Sequence, residues 1–243
     1  MTTAPSAGTA IGLRGVTKSY GEAPVLDGLD LDIPAAQVVA LLGRSGSGKS
    51  TLLRLLASLD HDVTGEVSVM GTVSVAFQEP RLLPWRSVED NVRLAAPLAD
   101  EVKLSALFAI LELNAHRNHF PGELSLGLAR RVALARAFAV EPDFLILDEP
   151  LASLDEALAA RLREQIAMLV DGRSVMTLLV THDVDDAVRL GDRVFLLSPR
   201  PARILADLPI PTPRSARGEA EIAAIKADIA RRINGDRTER DAS

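Results

Sequence analysis

The chain has no cysteine in its 243 residues. Disulfides and thiolate metal sites are thereby excluded, a usage that suits a reducing compartment. Aromatic residues are scarce, with one Trp, one Tyr and six Phe. No apolar run reaches the roughly 20 residues that a membrane-spanning helix needs. A membrane role would therefore have to come through partner chains. Basic residues do not predominate, since 27 Lys and Arg stand against 33 Asp and Glu for a net charge of −6. That balance argues against nucleic acid as a partner, because neutralising phosphates needs clustered positive surface. Residues 1–10 lack the apolar core of a signal peptide and read as a disordered leader. No internal repeat is visible, so the chain is not a tandem duplication. What remains is ordinary globular composition, 47% hydrophobic and 25% charged, in a length that fits one α/β domain with a subdomain.

One stretch carries recognisable chemistry. Gly43-Arg44-Ser45-Gly46-Ser47-Gly48-Lys49-Ser50-Thr51 fits G-x-x-x-x-G-K-[ST], a phosphate-binding loop. The apolar residues 38–42 before it read as a buried strand, and Leu52, Leu55, Leu56 and Leu59 follow at helical spacing. Strand, glycine-rich turn and helix are the context the motif requires. The turn's N–H groups then converge on an anion, and the helix N-terminus adds its positive dipole end. In such a loop Lys49 reaches the β- and γ-phosphates, and the Ser50 hydroxyl sits on Mg²⁺.

The other segments are read around that loop. Ile11, Leu13 and Val16 alternate with polar or small residues as a strand, and residues 25–33 form a second one closed by Pro34. Tyr20 stands shortly before the loop, either as a ring for stacking on a purine base or as an ordinary half-buried strand residue. Residues 65–69 and 73–77 are two more apolar runs. The second ends in Gln78-Glu79-Pro80-Arg81-Leu82-Leu83-Pro84-Trp85, a loop that is either an apolar docking patch or tucked onto its own core. From Ser87 to about Val140 the pattern is helical, with a Leu104, Leu107, Phe108, Leu111 stripe and Ser125 as an N-cap.

Residues 144–147 are apolar and end in Asp148 and Glu149. Asp148 at such a strand end suits Mg²⁺, and Glu149 suits orienting or deprotonating a water; the plainer reading is a solvated acidic turn. A second buried strand ends in His182, which either contacts a γ-phosphate or caps the helix that follows. Five prolines between 199 and 213 read as an extended linker. Ile222, Ile225, Ile229 and Ile233 then mark an amphipathic helix that packs back on the core, with disorder expected from about Asn234.

Taken in order, these motifs resemble the ATP-binding subunit of ABC transporters over about residues 11–205. The resemblance implies a P-loop NTPase of the α/β class, with a RecA-like core, a small antiparallel β-subdomain and an inserted α-helical subdomain at about 86–140. A Pro-rich linker and C-terminal helix would occupy 206–243. It also implies ATP and Mg²⁺ as ligands. Tyr20 would stack on adenine, Gln78 would reach Mg²⁺ and the attacking water, Glu149 would be the catalytic carboxylate and His182 the switch histidine. Asp155 would lie at a dimer seam. Ser125, Leu126 and Gly127 would form the signature that meets ATP held by a second copy.

The run from Gln78 to Trp85 is similar to the importer branch for nitrate, taurine and aliphatic sulfonates, most of all the last. There it would meet a transmembrane permease fed by an extracytoplasmic solute-binding protein, which puts the chain at the cytoplasmic face of the membrane. A soluble, non-transport ABC ATPase is the rival within the family, and a nucleotide-gated regulatory module the rival outside it. One departure stands out: the common signature is Leu-Ser-Gly-Gly-Gln, and here Leu126 and Leu128 replace the first Gly and the Gln. The short segment between the phosphate loop and Gln78 predicts a trimmed β-subdomain.

Overall fold

The computed structural model describes residues 9–173 and 175–241, so residues 1–8 of the expected leader lie outside the described residues. The chain opens with strands β1 (Thr9–Tyr20), β2 (Ala23–Pro34) and β3 (Val38–Leu42), helix α1 (Lys49–Leu56), and strands β4 (Thr64–Val69) and β5 (Val73–Ala76). Helices α2 (Val88–Ala95), α3 (Glu101–Ile110) and α4 (Leu126–Ala139) follow. Then come β6 (Phe144–Asp148), α5 (Glu156–Asp171), β7 (Met176–Thr181) and α6 (Val184–Leu190). Strands β8 (Arg193–Leu197) and β9 (Ile204–Pro209) and helix α7 (Glu219–Asp241) complete it. Two compact units result, one of residues up to 70 and from 176 on, the other of residues 71–175.

The first unit holds two sheets. In one, β2, β1 and β4 run antiparallel, with Ile11 opposite Ile33 and Val69, and Leu13 opposite Leu31 and Val67. The register slips between Leu13 and Val16, where Gly15 takes a φ of +57°. A strand with an extra residue needs such a left-handed position, which glycine adopts at little cost. In the other sheet β3 lies between β7 and β8, all three parallel. Every residue of β3 and of β7 is buried. Parallel strands covered on both faces read as continuous apolar runs, which is why alternation is absent there.

The stretch read as a linker is built differently. Residues 204–209 form β9, antiparallel to β8, with Phe195 opposite Asp207 and Arg193 opposite Pro209. Beyond it Ile210 is buried, and Arg214 donates to Leu190 O and Asp192 Oδ1. Ile222 and Ile229 are the buried members of the expected α7 stripe. The helix continues to Asp241, past the point where disorder is expected.

In the second unit β5 and β6 pair in parallel, Val73 opposite Phe144 and Ala76 opposite Leu147. The helical stretch is broken by a left-handed Glu112 and by short 3₁₀ turns at Asn114–His116 and Pro121–Glu123. Leu104, Leu107, Phe108 and Leu111 are buried as their spacing predicts.

Candidate nucleotide site

The phosphate loop belongs to the first unit. It leaves the buried end of β3, where Gly43 N–H donates to Thr181 O at 3.4 Å. The loop then folds so tightly that a Cβ on Gly43 would lie 2.7 Å from Ser47 Oγ. Gly46 and Gly48 take φ of +80° and +105°, and a Cβ on Gly48 would meet Leu26, Val25 and Ala202 at 3.2–3.3 Å. Both conformation and space therefore require glycine at 48. Gly48 is also the N-cap of α1, whose first turn contains no acidic residue. Lys49 is buried, and its ammonium donates to Gly43 O at 2.6 Å and Arg44 O at 3.1 Å. Ser47 Oγ is buried and without a hydrogen-bond partner. Arg44, Ser45, Gly46 and Ser50 face solvent, while Thr51 is buried in the helix. The N-terminal end of α1, a buried cation and an unsatisfied hydroxyl make a cradle that fits a phosphate chain.

His182 lies beside this loop. It follows Thr181 at the end of β7 and lines, with Gly43, Arg44 and Leu197, a cavity of about 90 Å³. The capping of α6 falls to Asp183, whose carboxylate accepts from Asp185 N at 2.6 Å and Asp186 N at 3.3 Å. Tyr20 ends β1 at 49% exposure. Its hydroxyl donates to Asp60 Oδ2 at 3.4 Å, and the Lys18 ammonium sits 5.2 Å from its ring centroid. Sequence reasoning passed over Lys18, which is buried and paired with Asp60 at 3.1 Å and Asp62 at 3.2 Å. Burial pulls its pKa down, but the two carboxylates more than offset this and the pKa ends above the ordinary lysine value. The ring is thus braced from below by a fixed cation.

The second unit holds the other candidates. Residues Phe144 to Leu147 of β6 are wholly buried and deliver Asp148 and Glu149 at its end, both half-buried. Glu149 has a φ of +46°, a left-handed conformation that costs a non-glycine residue about 1–2 kcal/mol. Gln78 is exposed and lines a small gap with Phe77, Arg130 and Pro150. The loop after it is held from behind. Arg136 donates to Pro80 O and Arg81 O, and the Arg81 guanidinium lies 4.2 Å from the Phe77 ring centroid. Asn91, fully buried, accepts from Leu83 N and donates to the carbonyls of Leu83, Arg86 and Ser87. The loop's backbone is thus held and Leu82 and Leu83 are half-buried, whereas Trp85 remains 71% exposed. No sequence pattern pointed to Asn91, whose partners are main-chain atoms.

Ser125 caps α4, accepting from Leu128 N at 3.3 Å. Leu126 is 49% exposed, whereas Gly127 is buried with its missing Cβ only 2.6 Å from Leu158 Cδ2. Leu158 lies in the first turn of α5, which is capped by the exposed Asp155, whose carboxylate accepts from Leu158 N at 3.0 Å. The structure thus packs the Ser125–Gly127 turn against the Asp155-capped helix. Among the described residues no three His, Asp or Glu side chains gather as a metal site, and no helix is long and apolar enough to cross a membrane.

Comparison with known proteins agrees with this geometry. The family model described as "ABC transporter" matches residues 26–152. The aliphatic sulfonates import ATP-binding protein SsuB 2 of Streptomyces avermitilis is 47% identical over 213 residues, covering 86% of this chain and 84% of that protein. The protein SsuB of Corynebacterium glutamicum, of the same description, is 42% identical over 235 residues, covering 94% and 96%. Among solved structures, the dimeric post-hydrolysis state of the ATP-binding cassette MJ0796 bound to ADP and Pi superposes with a TM-score of 0.72. It shares 27% identity and covers 83% of this chain and 99% of that one. The fold is accordingly that of a P-loop ABC ATPase, and the chain belongs to the ABC transporter family.

Proposed function

We propose that the chain is the ATP-hydrolysing subunit of an importer for aliphatic sulfonates. The observation that carries the ATPase reading is the phosphate cradle, with its left-handed Gly48, buried Lys49 and unsatisfied Ser47 hydroxyl. The solute class rests on the names of relatives that are 42–47% identical over most of their length.

In this reading two copies pair head-to-tail. The triphosphate lies between the Gly43–Thr51 loop of one and the Ser125–Leu126–Gly127 turn of the other, with Asp155 at the seam. Tyr20 stacks on the adenine. Lys49 neutralises the β- and γ-phosphates, and loop amides hold their oxygens. Glu149 orients the attacking water and takes its proton, while Gln78 and His182 sense the γ-phosphoryl group. The hydroxyl of Ser50, the carboxylate of Asp148 and the amide oxygen of Gln78, all hard oxygen donors, would hold Mg²⁺, which would supply charge neutralisation to the phosphates. Phosphoryl transfer is mainly positioning and charge stabilisation, so no covalent intermediate is needed. Loss of the γ-phosphate removes the shared anion and the copies part.

The exposed Trp85 loop passes that motion to a transmembrane permease, which places the chain peripherally at the cytoplasmic face of the membrane. A solute-binding protein on the other side selects the cargo. The test is ATP hydrolysis by the reconstituted permease complex. Binding protein loaded with an alkanesulfonate should stimulate it severalfold. Equal stimulation by nitrate or taurine alone, with none by alkanesulfonates, would reassign the solute.

A further inference from the structure

Arg130 has no part in the reading above, yet it is buried to 7% exposure in the second unit. It stands on α4, five residues after the Ser125 cap. Its Nη1 donates to Glu149 O at 3.1 Å and to Pro150 O at 2.8 Å. Its Nε is buried with no hydrogen-bond partner. Burial pulls the guanidinium's pKa down, and the charge of Glu149 only partly restores it. A cation has therefore been taken out of water, at a cost, to hold two consecutive main-chain carbonyls. An apolar side chain of similar volume would fill the same space without that cost.

What the clamp holds is specific. Glu149 sits at a φ of +46°, a region that non-glycine residues rarely occupy. Fixing the carbonyls of Glu149 and Pro150 fixes the peptide plane between them, and with it the direction in which the Glu149 side chain leaves the backbone. Arg130 also lines the small gap that Gln78 lines.

We propose that Arg130 is a positioning residue for ATP hydrolysis: its guanidinium clamps the Glu149–Pro150 main chain and ties the aim of the Glu149 carboxylate to the Ser125-capped helix α4. The inference rests on the role given to Glu149 above. It adds a direct link between the helix whose start would meet the second copy's nucleotide and the carboxylate that would activate water.

The test uses the full chain and measures kcat, KM for ATP and the affinity for a non-hydrolysable ATP analogue. Arg130→Ala should lower kcat about 10- to 100-fold, the scale of a misplaced reacting group, with KM and analogue affinity within about twofold of wild type. Guanidinium ion at millimolar concentration should restore part of that loss, and should restore nothing in Glu149→Gln. Arg130→Lys keeps the charge on a shorter, more flexible stem, and should fall between Arg130→Ala and wild type in kcat at unchanged KM. Wild-type kcat in Arg130→Ala would overturn the inference. So would a kcat loss matched by an equal loss of analogue affinity and insensitive to guanidinium. If Arg130→Ala does not fold, Arg130→Lys decides, and wild-type kcat in that variant overturns the inference too. Glu149→Gln separates the two claims. If it is inactive while Arg130→Ala is normal, only the clamp fails. If it turns over at wild-type rate, the assignment of Glu149 fails first.

Discussion

The Lys49 ammonium reaches back along its own loop and donates to the carbonyl oxygen of Gly43 at 2.6 Å. The cation that would meet the phosphates is held at the mouth of β3, six residues along the chain from its acceptor, and its burial leaves it little freedom. Replacing it removes charge-assisted hydrogen bonds worth about 1.5–3 kcal/mol. Lys49→Ala is therefore expected to weaken nucleotide binding about 10- to 100-fold, read by equilibrium titration with a fluorescent ATP analogue. Unchanged affinity would contradict the assignment of the loop.

Glu149→Gln keeps the size and the left-handed backbone but loses the base. Turnover should fall by about 10²–10⁴-fold, the usual contribution of a positioned general base, while ATP binding persists. Size-exclusion chromatography with ATP should then show a trapped dimer. Hydrolysis at wild-type rate would remove Glu149 from its role.

Tyr20 is half exposed and its hydroxyl contact to Asp60 is long, 3.4 Å, so the ring contributes little to folding. Stacking on a base is worth about 1–3 kcal/mol. Tyr20→Ala should accordingly weaken ATP and ADP alike, by about 5- to 100-fold. A change in melting temperature with no change in either affinity would exclude stacking.

The last helix is fastened electrostatically. Arg189 of α6 pairs with Asp185 and, through both nitrogens of its fork, with Glu219 of α7, and Lys226 of α7 pairs with Asp185. Arg189 holds the Glu219 carboxyl below its usual range. Burial opposes ionisation of Asp185, but Lys226 and Arg189 outweigh it, so its pKa is also lowered. Carboxylates with lowered pKa values stabilise the fold above their ordinary titration range and lose that effect as pH falls through the lowered values. Arg189→Met should lower stability near neutrality, by a small amount because Glu219 is exposed to solvent. The difference from wild type, followed by urea unfolding, should begin to shrink as pH drops below about 4 and be gone below the lowered values. A difference that stays constant down to pH 3 would mean the helix is held by its isoleucines alone.

Much of the site was legible because its signals are local. A phosphate loop is nine consecutive residues whose glycines, lysine and flanking apolar runs state the backbone path directly. The strand ending in Asp148 and the cap at Ser125 are local in the same way. What escaped was made by distant partners. Strand β9 carries prolines nearby and a weak half-buried alternation, and only its pairing with β8 makes it a strand. Arg130 and Asn91 serve main-chain carbonyls supplied by other segments, so no spacing rule points at them. The burial of Lys18 depends on Asp60 and Asp62, more than forty residues away.

Strand β9 also bears on how such a protein stays usable. A subunit that meets its twin, parts and meets again has to avoid contacts that never release. The bare flank of β8 would offer unpaired main-chain donors and acceptors to any passing strand, an invitation to permanent aggregation. Here that flank is already taken by the chain's own β9. The segment then runs through Pro209, Pro211 and Pro213, which have no N–H to give. The sheet then ends on β9, whose last residue and exit carry prolines with no N–H to offer a stray strand.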